Sequence, residues 1–350
     1  MPLSATTFPE HDPVRIFELC RASYATELLA AAVAEFRLFE RLAPGAKPAA
    51  VLRAELHLAE RPFAVLITAM RAMELLCSAG PDQLQLTPLA AEHLLPGGPF
   101  FVGDYVGLSA ASPGVQALVA RLKSNQPAPA QAADQGAAFI YREGLESAMD
   151  HADSARRLTL ALAGRAKNVA PFLAARANLE QATCLLDIGG GTGIYAIACL
   201  QRFPRLKAIV WDRPEVLKIA REFAIEYGVA DRLEGIPGDM FADPLPPGCD
   251  VQLISNVLHD WDVPECEALL RRCAAALPAG GRILIHDVFL NDDLSGPLPL
   301  ALYSAALFSL TEGRAYSAAE YAAWLAAAGL QVEPPIATSI HCGLLAGRKT

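Results

Sequence analysis

The sequence predicts an α/β protein in two parts, a helical N-terminal domain of winged-helix type and a C-terminal doubly wound α/β domain. A chain of 350 residues exceeds the roughly 250 to 300 residues at which a single hydrophobic core stops growing. Helical periodicity dominates residues 14–100, and from Cys184 onward short apolar strands alternate with helices. We therefore expect a winged-helix-like domain over residues 1–100, a helical connecting segment over 101–175 and the α/β domain over 176–350.

The N-terminal region carries the spacing of amphipathic helices and ends in a short hairpin. Apolar side chains recur three and four residues apart, at Ile16, Leu19, Cys20, Tyr24, Leu28, Leu29 and Ala32. Gly-Pro-Asp at residues 80–82 is a turn sequence, and residues 83–86 alternate as a short strand does. Helices followed by a hairpin indicate a winged helix. Segment 61–76 has only Arg61 and Arg71 as basic residues, so it lacks the basic helix that DNA reading requires, and subunit pairing is the favoured role.

The C-terminal half repeats a strand, a turn and a helix. The predicted strands are apolar runs short enough for a buried parallel sheet, at residues 184–188, 206–211, 233–236, 251–255 and 282–288. The helices predicted between them span residues 195–202, 214–227 and 264–277. Two of these helices contain proline at their start, where proline is favoured. This alternation predicts a Rossmann-like, doubly wound fold.

Composition and charge narrow the class of protein. Hydrophobic residues make up 53% and charged residues 19% of the chain, which favours a globular protein over a disordered one. A net charge of −9 opposes binding to nucleic acid. The eight cysteines form no Cys-x-x-Cys pair and indicate a reducing compartment. With no signal-peptide pattern and no membrane-spanning run, we expect a cytoplasmic protein without membrane, nucleic-acid or metal partners.

A glycine-rich loop follows the first predicted strand of the α/β domain. Residues 187–193 read Asp-Ile-Gly-Gly-Gly-Thr-Gly and open a predicted helix, so backbone amides can face an anionic group while the missing side chains allow close approach. Residues 191–196 also satisfy the Gly-x-Gly-x-x-Ala variant of the dinucleotide fingerprint. The loop alone therefore indicates a nucleotide cofactor and leaves NAD open.

Acidic side chains around this loop bear on the choice of cofactor. Asp187 stands two residues before the first glycine, where it can accept a hydrogen bond from an ammonium group but would repel a pyrophosphate. Asp212 ends the next strand, where its carboxylate can bind ribose hydroxyls in either class of cofactor. Asp239 follows the third strand, and with Met240 and Phe241 it suits the amino group and ring face of adenine. The pattern favours S-adenosylmethionine.

Residues 253–262, Leu-Ile-Ser-Asn-Val-Leu-His-Asp-Trp-Asp, resemble the signature of the caffeate-type O-methyltransferases of plants and their bacterial relatives in antibiotic and pigment pathways. The resemblance covers nearly the whole chain. It implies a class I methyltransferase domain of Rossmann-like fold, an N-terminal domain that pairs two subunits, and His259 as general base, oriented by Asp287. A second glutamate of the plant pattern falls on Ala315, and a cofactor-binding lysine falls on Ser255.

A histidine suits the position of the base chemically. A phenol has an ordinary pKa near 10, whereas a histidine titrates at about 6.5 and can accept the hydroxyl proton as the oxygen attacks. Such a base contributes roughly 10² to 10⁴ in rate, while alignment of the reacting atoms can supply about 7 to 11 kcal/mol. His259 is also placed to cap the helix that follows, so the residues alone leave both roles open.

The resemblance also implies which residues contact the two small molecules. The predicted cofactor contacts are Asp187, Gly189, Gly191, Gly193, Asp212, Asp239, Met240, Phe241 and Ser255. The predicted acceptor contacts are Met149, Leu302, Ala306 and Leu310. The small side chains in this second set predict a bulky or polycyclic aromatic acceptor.

The resulting hypothesis is a homodimeric, cytoplasmic O-methyltransferase that acts on a hydroxyl of an aromatic or polyketide-like small molecule. The first alternative is a relative with the same cofactor site that methylates carbon or nitrogen, or that uses the cofactor without methyl transfer. A winged-helix regulator that senses the cofactor is the second alternative, and an NAD-dependent oxidoreductase is the third. The identity of the acceptor lies beyond the sequence.

Overall fold

The computed structural model describes residues 2–126 and 152–350. Contacts between residues divide the chain into two compact units. The helical unit contains residues 16–126 and 290–315, and the α/β unit contains residues 2–15, 152–289 and 316–350. Within these described ranges, no helix has the length and apolar character needed to cross a membrane.

The helical part of the chain follows the periodicity of its sequence. Its first helices are α1 (Val14–Leu19), α2 (Ser23–Ala30), α3 (Leu38–Leu42), α4 (Ala49–Leu56) and α5 (Glu60–Ala72), with a π-helical turn at Ala31–Glu35. The strands β1 (Lys47–Pro48), β2 (Leu76–Gly80) and β3 (Gln83–Leu86) form an antiparallel sheet in the spatial order β1-β3-β2. The later helices are α6 (Pro88–His93), α7 (Gly103–Gly107) and α8 (Pro113–Ser124). Helices followed by this hairpin give the predicted winged-helix arrangement.

The α/β unit is built around a nine-stranded sheet. The long helix α9 (Ala152–Arg176) precedes β4 (Cys184–Ile188), α10 (Ile194–Arg202), β5 (Lys207–Asp212), α11 (Pro214–Glu226), β6 (Leu233–Pro237), β7 (Val251–Ser255), α12 (Val263–Ala276) and β8 (Arg282–Leu290). After α13 (Leu298–Leu310) the chain adds β9 (Tyr316–Ser317), α14 (Ala318–Ala327), β10 (Gln331–Val332), β11 (Ile336–Ala337) and β12 (Cys342–Arg348). The order is β10-β12-β8-β7-β4-β5-β6, with β9 beside β8 and β11 beside β12.

Five adjacent strands of this sheet are parallel, as the sequence predicts. β8, β7, β4, β5 and β6 run in one direction, and β12 runs antiparallel to β8. β7 is buried along its whole length, which agrees with its mainly apolar sequence. Because β4 lies between β5 and β7, the chain changes direction across the sheet at β4. Ligands of such folds bind at this switch point, at the carboxyl ends of the strands.

Helix α13 belongs to the helical unit although it follows β8 in the sequence. It is apolar on every face, and a helix of this kind is stable only when protein surrounds it. It packs against α5 and α2. Arg121 of α8 donates from Nε to the Phe308 carbonyl at 2.8 Å and from Nη2 to the Thr311 carbonyl at 2.5 Å. The helical unit is therefore assembled from two separate stretches of chain.

Candidate active site

The glycine loop connects the end of β4 to the start of α10, at the switch point of the sheet. Gly191 and Gly193 have φ values of +60° and +69°, a left-handed backbone that residues with side chains rarely adopt. The Gly189 amide donates to the Trp211 carbonyl at 2.9 Å, and the Gly191 amide donates to Asp212 Oδ2 at 2.9 Å. These bonds attach the loop to the end of β5, so the three predicted glycines form one cradle.

Asp187, near the end of β4, carries a carboxylate buried against this loop. Its side chain has no exposure to solvent, and neither oxygen makes a hydrogen bond of normal geometry with a described residue. A Cβ on Gly190 would lie 2.7 Å from the carboxyl carbon, so only glycine lets the loop pass so near. Burial raises the pKa of Asp187 to about 8, Asp212 adds to the rise, and the Ala196 amide opposes it. Such a carboxylate fits a cationic group, for example the ammonium of an amino acid.

Asp212, at the end of β5, is held by two backbone amides. Its Oδ2 accepts from Gly191 at 2.9 Å, and its Oδ1 accepts from Arg213 at 2.7 Å. Burial raises the pKa of Asp212, while the two amide hydrogen bonds and the charge of Arg213 oppose the rise. An ionised carboxylate has about four acceptor positions. Asp212 therefore keeps the capacity to bind further donors, such as the hydroxyls of a ribose.

The loop after β6 places Asp239, Met240 and Phe241 at the same edge of the sheet. Asp239 Oδ1 accepts from the Phe241 amide at 2.8 Å, and Oδ2 accepts from Arg213 at 3.2 Å. Phe241 packs edge-on against Trp261 with ring centroids 4.5 Å apart, and Met240 packs against the same core cluster. The Trp261 indole N–H is buried and has no hydrogen-bond partner among the described residues. These flat apolar groups with a free donor fit the heterocyclic ring of a nucleoside.

His259 lies on a 3-10 helix, Leu258–Asp260, shortly after β7. Asn256 has a φ of +54°, and this left-handed residue turns the chain where β7 ends. His259 Nδ1 donates to Asp287 Oδ1 at 2.5 Å, and both side chains are almost completely buried. The structure thus brings together the two residues to which the sequence analysis assigns the chemistry, 28 positions apart in the chain.

Charges around this imidazole raise its affinity for a proton. Burial by itself lowers the pKa of His259, but the carboxylates of Asp287 and Asp260 and the Asp287 hydrogen bond outweigh burial and the charge of Arg165, so the net shift is upward. Burial also raises the pKa of Asp260 to about 6. Asp260 Oδ1 lies 3.7 Å from His259 Nε2, beyond hydrogen-bond distance. Because Asp287 holds Nδ1, Nε2 is the nitrogen that can accept a proton from a substrate.

Two tyrosines that the sequence analysis did not assign support this pair. The Tyr321 hydroxyl on α14 donates to Asp287 Oδ2 at 3.1 Å. The Tyr316 hydroxyl on β9 donates to the Trp261 carbonyl at 2.6 Å and so holds the segment that follows His259. Both tyrosines are completely buried. Each joins an element after α13 to one before it, so no local sequence pattern marks these contacts.

A second polar network lies at the end of β7. Ser255 Oγ is 2.8 Å from His286 Nδ1 and accepts from Asn256 Nδ2 at 3.1 Å, while His286 Nε2 is 3.1 Å from Thr338 Oγ1. Arg165 on α9 donates to Asn256 Oδ1 at 2.9 Å. Burial, reinforced by Arg165, lowers the pKa of His286 to about 3, so this histidine is a neutral structural residue. The Ser255 hydroxyl is engaged here, and its contact with the cofactor stays a prediction.

The predicted acceptor contacts belong to the helical unit or lie outside the described residues. Leu302 and Ala306 are nearly buried on α13, and Leu310 is half-buried at the end of that helix. Ala315, where the plant pattern has a glutamate, is completely buried and supplies no carboxylate. Met149 lies outside the described residues. The contacts of these side chains with an acceptor stay predictions.

Known proteins are similar to this chain in sequence and fold. The family model described as an O-methyltransferase domain matches residues 147–331. The chain is 34% identical over 322 residues to 3-hydroxy-5-methyl-1-naphthoate 3-O-methyltransferase of Streptomyces sahachiroi, covering 91% of this chain and 89% of that protein. It is 30% identical over 342 residues to the tetracenomycin polyketide synthesis 8-O-methyl transferase TcmO of Streptomyces glaucescens, covering 96% and 97% of the two chains.

The solved structures include a similar protein as well. The crystal structure of an O-methyltransferase family 2 protein from Planctomyces limnophilus in complex with apigenin matches with a TM-score of 0.90 and 47% sequence identity, covering 100% of this chain and 99% of that chain. The chain therefore belongs to the family 2 O-methyltransferases. It is an S-adenosylmethionine-dependent methyltransferase. The predicted fold class, enzyme class and cofactor are therefore confirmed, and the cofactor is S-adenosylmethionine and not NAD.

Proposed function

We propose that this enzyme methylates a phenolic hydroxyl of an aromatic or polyketide-like small molecule, with His259 as the general base. The observation that carries the proposal is the buried hydrogen bond of 2.5 Å between His259 and Asp287 at the carboxyl edge of the sheet. A phenol with an ordinary pKa near 10 is almost entirely protonated at neutral pH and needs a base. A neutral amine already carries its lone pair, so a buried base with an orienting carboxylate favours an oxygen acceptor.

The residues of the chain act on the proton and on the geometry. Asp287 accepts from Nδ1 and so fixes the tautomer of His259 in which Nε2 carries the lone pair. Nε2 takes the hydroxyl proton as the oxygen attacks, and the carboxylate stabilises the imidazolium that results. Asp187, Asp212 and the Asp239 loop are the residues that would hold S-adenosylmethionine, which supplies the electrophilic methyl group when bound. We expect the base to contribute about 10² to 10⁴ in rate.

The class of acceptor is inferred from the similar proteins. Two of them are named for a hydroxynaphthoate and for tetracenomycin polyketide synthesis, and the similar crystal structure contains apigenin. These names favour aromatic acceptors with more than one ring. The small side chain of Ala306 on α13 agrees with such an acceptor, provided that this helix contacts it as the sequence predicts.

A panel of acceptors tests this proposal. The protein would be incubated with methyl-labelled S-adenosylmethionine and apigenin, hydroxynaphthoates, single-ring phenols or aromatic amines, and the products identified by mass spectrometry. We expect O-methylated product and an equal amount of S-adenosylhomocysteine from hydroxylated multi-ring acceptors. Methyl transfer to amines or to ring carbon alone would reject the oxygen assignment.

We also infer that two copies of the chain pair through the helical unit. Several large apolar side chains of this unit are exposed to between 42% and 78%, and such surface marks protein interfaces. They are Ile16, Leu19, Phe100, Val102, Tyr105 and Leu108. Leu108 also lines a cavity of about 640 Å³ in the same unit. A homodimer would cover this surface.

The oligomeric state tests this pairing. We expect Leu108→Glu to convert a dimer into a monomer in sedimentation equilibrium, because a charge would be buried in the interface. Ile225→Glu is the matched control, since Ile225 is 63% exposed on α11 of the α/β unit. A wild-type monomer, or a dimer that survives the Leu108 change and not the control, would reject the proposed interface.

A cytoplasmic location is part of the same proposal. None of the eight cysteines forms a disulfide, and five of them are buried as small core side chains. Cysteines kept as thiols are typical of reducing compartments. Recovery of the native protein in the cytosolic fraction of its source cells is the expected result, and recovery in a membrane or secreted fraction would contradict it.

A further inference from the structure

The acid that orients the base receives hydrogen bonds on both of its oxygens. Asp287 Oδ1 accepts from His259 Nδ1 at 2.5 Å and from the Val288 amide at 2.8 Å. Asp287 Oδ2 accepts from the Tyr321 hydroxyl at 3.1 Å. Asp287 is 1% exposed and Tyr321 is not exposed at all, so water does not replace these donors. The negative charge of the Asp287 carboxylate is therefore shared among donors of the protein and not with water.

We propose that Tyr321 is a positioning residue for the methyl-transfer reaction: its hydroxyl fixes the Asp287 carboxylate and draws negative charge away from the oxygen that holds His259. The proposal rests on the proposed function, in which His259 is the base. A carboxylate that shares its charge among three donors holds the Nδ1 proton less tightly than one with two donors. The imidazolium form of His259 then loses its Nε2 proton at a lower pH, so Nε2 can accept a substrate proton near neutrality.

The packing around Tyr321 fixes the ring and therefore the hydroxyl. Its ring centroid lies 5.4 Å from that of Trp324, 5.7 Å from that of Tyr316 and 5.8 Å from that of Phe289, all in edge-on contacts. Helix α14 begins with a capping box at Ser317–Glu320, one turn before the tyrosine. Because helix and ring are both held, the hydroxyl has one position, and that position is on Oδ2 of the acid.

Other titratable groups also face His259 and Tyr321 and shift the pKa values of both residues. Burial lowers the pKa of His259, the carboxylates of Asp287 and Asp260 raise it, and Arg165 on α9 lowers it. On the other side, burial and Asp287 raise the pKa of Tyr321 well above its usual value, and Cys266 on α12 and Tyr316 on β9 add to this rise. The Tyr321 hydroxyl therefore stays protonated, and remains a donor, throughout the neutral range.

His286 on β8 completes these surroundings. It is completely buried, its pKa is lowered to about 3 by burial and by Arg165, and it stays neutral at every pH at which the enzyme would be assayed. Its ring nitrogens are engaged with Ser255 and Thr338. A change at Tyr321 should therefore alter the titration of His259 and leave His286 neutral.

An NMR titration of the full-length chain tests this role directly. With ¹⁵N-labelled histidine, the His259 signal is identified by its loss in His259→Ala. Tyr321→Phe removes only the hydroxyl and keeps the aromatic packing, and Tyr227→Phe is the control, a tyrosine of the α/β unit that is 5% exposed. We expect the His259 midpoint to rise by about half a unit to one unit in Tyr321→Phe and by less than about 0.2 units in the control. An unchanged or lowered midpoint in Tyr321→Phe would overturn the proposal.

The pH profile of turnover separates positioning from a merely structural role. For Tyr321→Phe the acidic limb of kcat/KM should move upward by the same amount as the NMR midpoint, with turnover reduced about three- to tenfold near pH 6.5 and restored near pH 9. KM for the cofactor should not change. A loss of turnover that persists at high pH would reject positioning. The titration needs no acceptor, so a moved midpoint together with a panel of unmethylated acceptors would reject the proposed function and keep the role of Tyr321.

Discussion

Two buried aspartates of one sheet, Asp187 on β4 and Asp287 on β8, differ in the hydrogen-bond donors that the protein supplies to them. Asp287 accepts hydrogen bonds from His259, Val288 and Tyr321, whereas neither oxygen of Asp187 makes a hydrogen bond of normal geometry with a described residue. Burial accordingly raises the pKa of Asp187 to about 8. We therefore expect the proposed proton-transfer side of the site to be arranged by folding, and Asp187 on the proposed cofactor side to lose its proton when a cationic ligand binds.

Removal of His259 should impair proton transfer and leave cofactor binding intact. We expect His259→Ala to lower kcat by about 10² to 10⁴, because the acceptor hydroxyl loses its proton acceptor. The dissociation constant for S-adenosylmethionine, measured by calorimetry, should stay within about twofold of wild type, because His259 itself is not among the proposed cofactor contacts. His11→Ala, at an exposed histidine, is the control. A kcat close to that of wild type would show that another group is the base.

Neutralising Asp287 tests how this carboxylate controls the pKa of His259. Asp287→Asn keeps the shape of the side chain and removes its charge, so the upward shift that Asp287 imposes on the pKa of His259 should disappear. We expect turnover to fall about 10- to 100-fold and the acidic limb of kcat/KM to move to lower pH. This direction is opposite to that expected for Tyr321→Phe. Movement of both variants in one direction would contradict the division of roles.

Neutralising Asp187 should weaken binding of the cofactor. With a pKa of about 8, Asp187 is mostly protonated at pH 6 to 7 and must ionise to bind an ammonium group. Binding should therefore release nearly one proton, and affinity should rise about tenfold from pH 6 to pH 7. In Asp187→Asn we expect about 10- to 100-fold weaker binding, the range of a hydrogen bond between charged groups, without proton release.

Calorimetry in two buffers of different ionisation enthalpy measures that proton count. Asp231→Asn, at an exposed loop position, is the control and should release the same proton as the wild type. Binding of S-adenosylmethionine by the wild type without proton release would mean that Asp187 is already ionised, and the contrast with Asp287 would then be lost.

The parts of the site that the sequence predicted are those governed by local chemistry. The left-handed backbone at Gly191 and Gly193 requires glycine, and the residues of β4, β5 and β7 are mainly apolar because they form a buried parallel sheet. Both features are visible within a few residues of sequence. The pairing of His259 with Asp287 came from the resemblance to a family, and the structure confirms that the two side chains meet.

The parts that the sequence did not predict depend on contacts between distant segments. Tyr321 lies 34 positions from Asp287, and Arg165 lies 91 positions from Asn256. A tyrosine in an alanine-rich helix is indistinguishable in sequence from any other core aromatic residue. Helix α13 is apolar on every face, so its periodicity shows no direction of packing, and its contacts with α5 emerge only in three dimensions.

A comparison of wild type and His259→Ala on phenolic acceptors of graded acidity tests whether His259 acts as a base. A base matters most when the hydroxyl is protonated and matters little when it is already ionised in solution. We therefore predict a loss of about 10² to 10⁴ for acceptors with a hydroxyl pKa near 10, shrinking to less than about tenfold for acceptors that are phenolates at the assay pH. An equal loss for both kinds of acceptor would contradict the account, because His259 would then act on geometry and not on the proton.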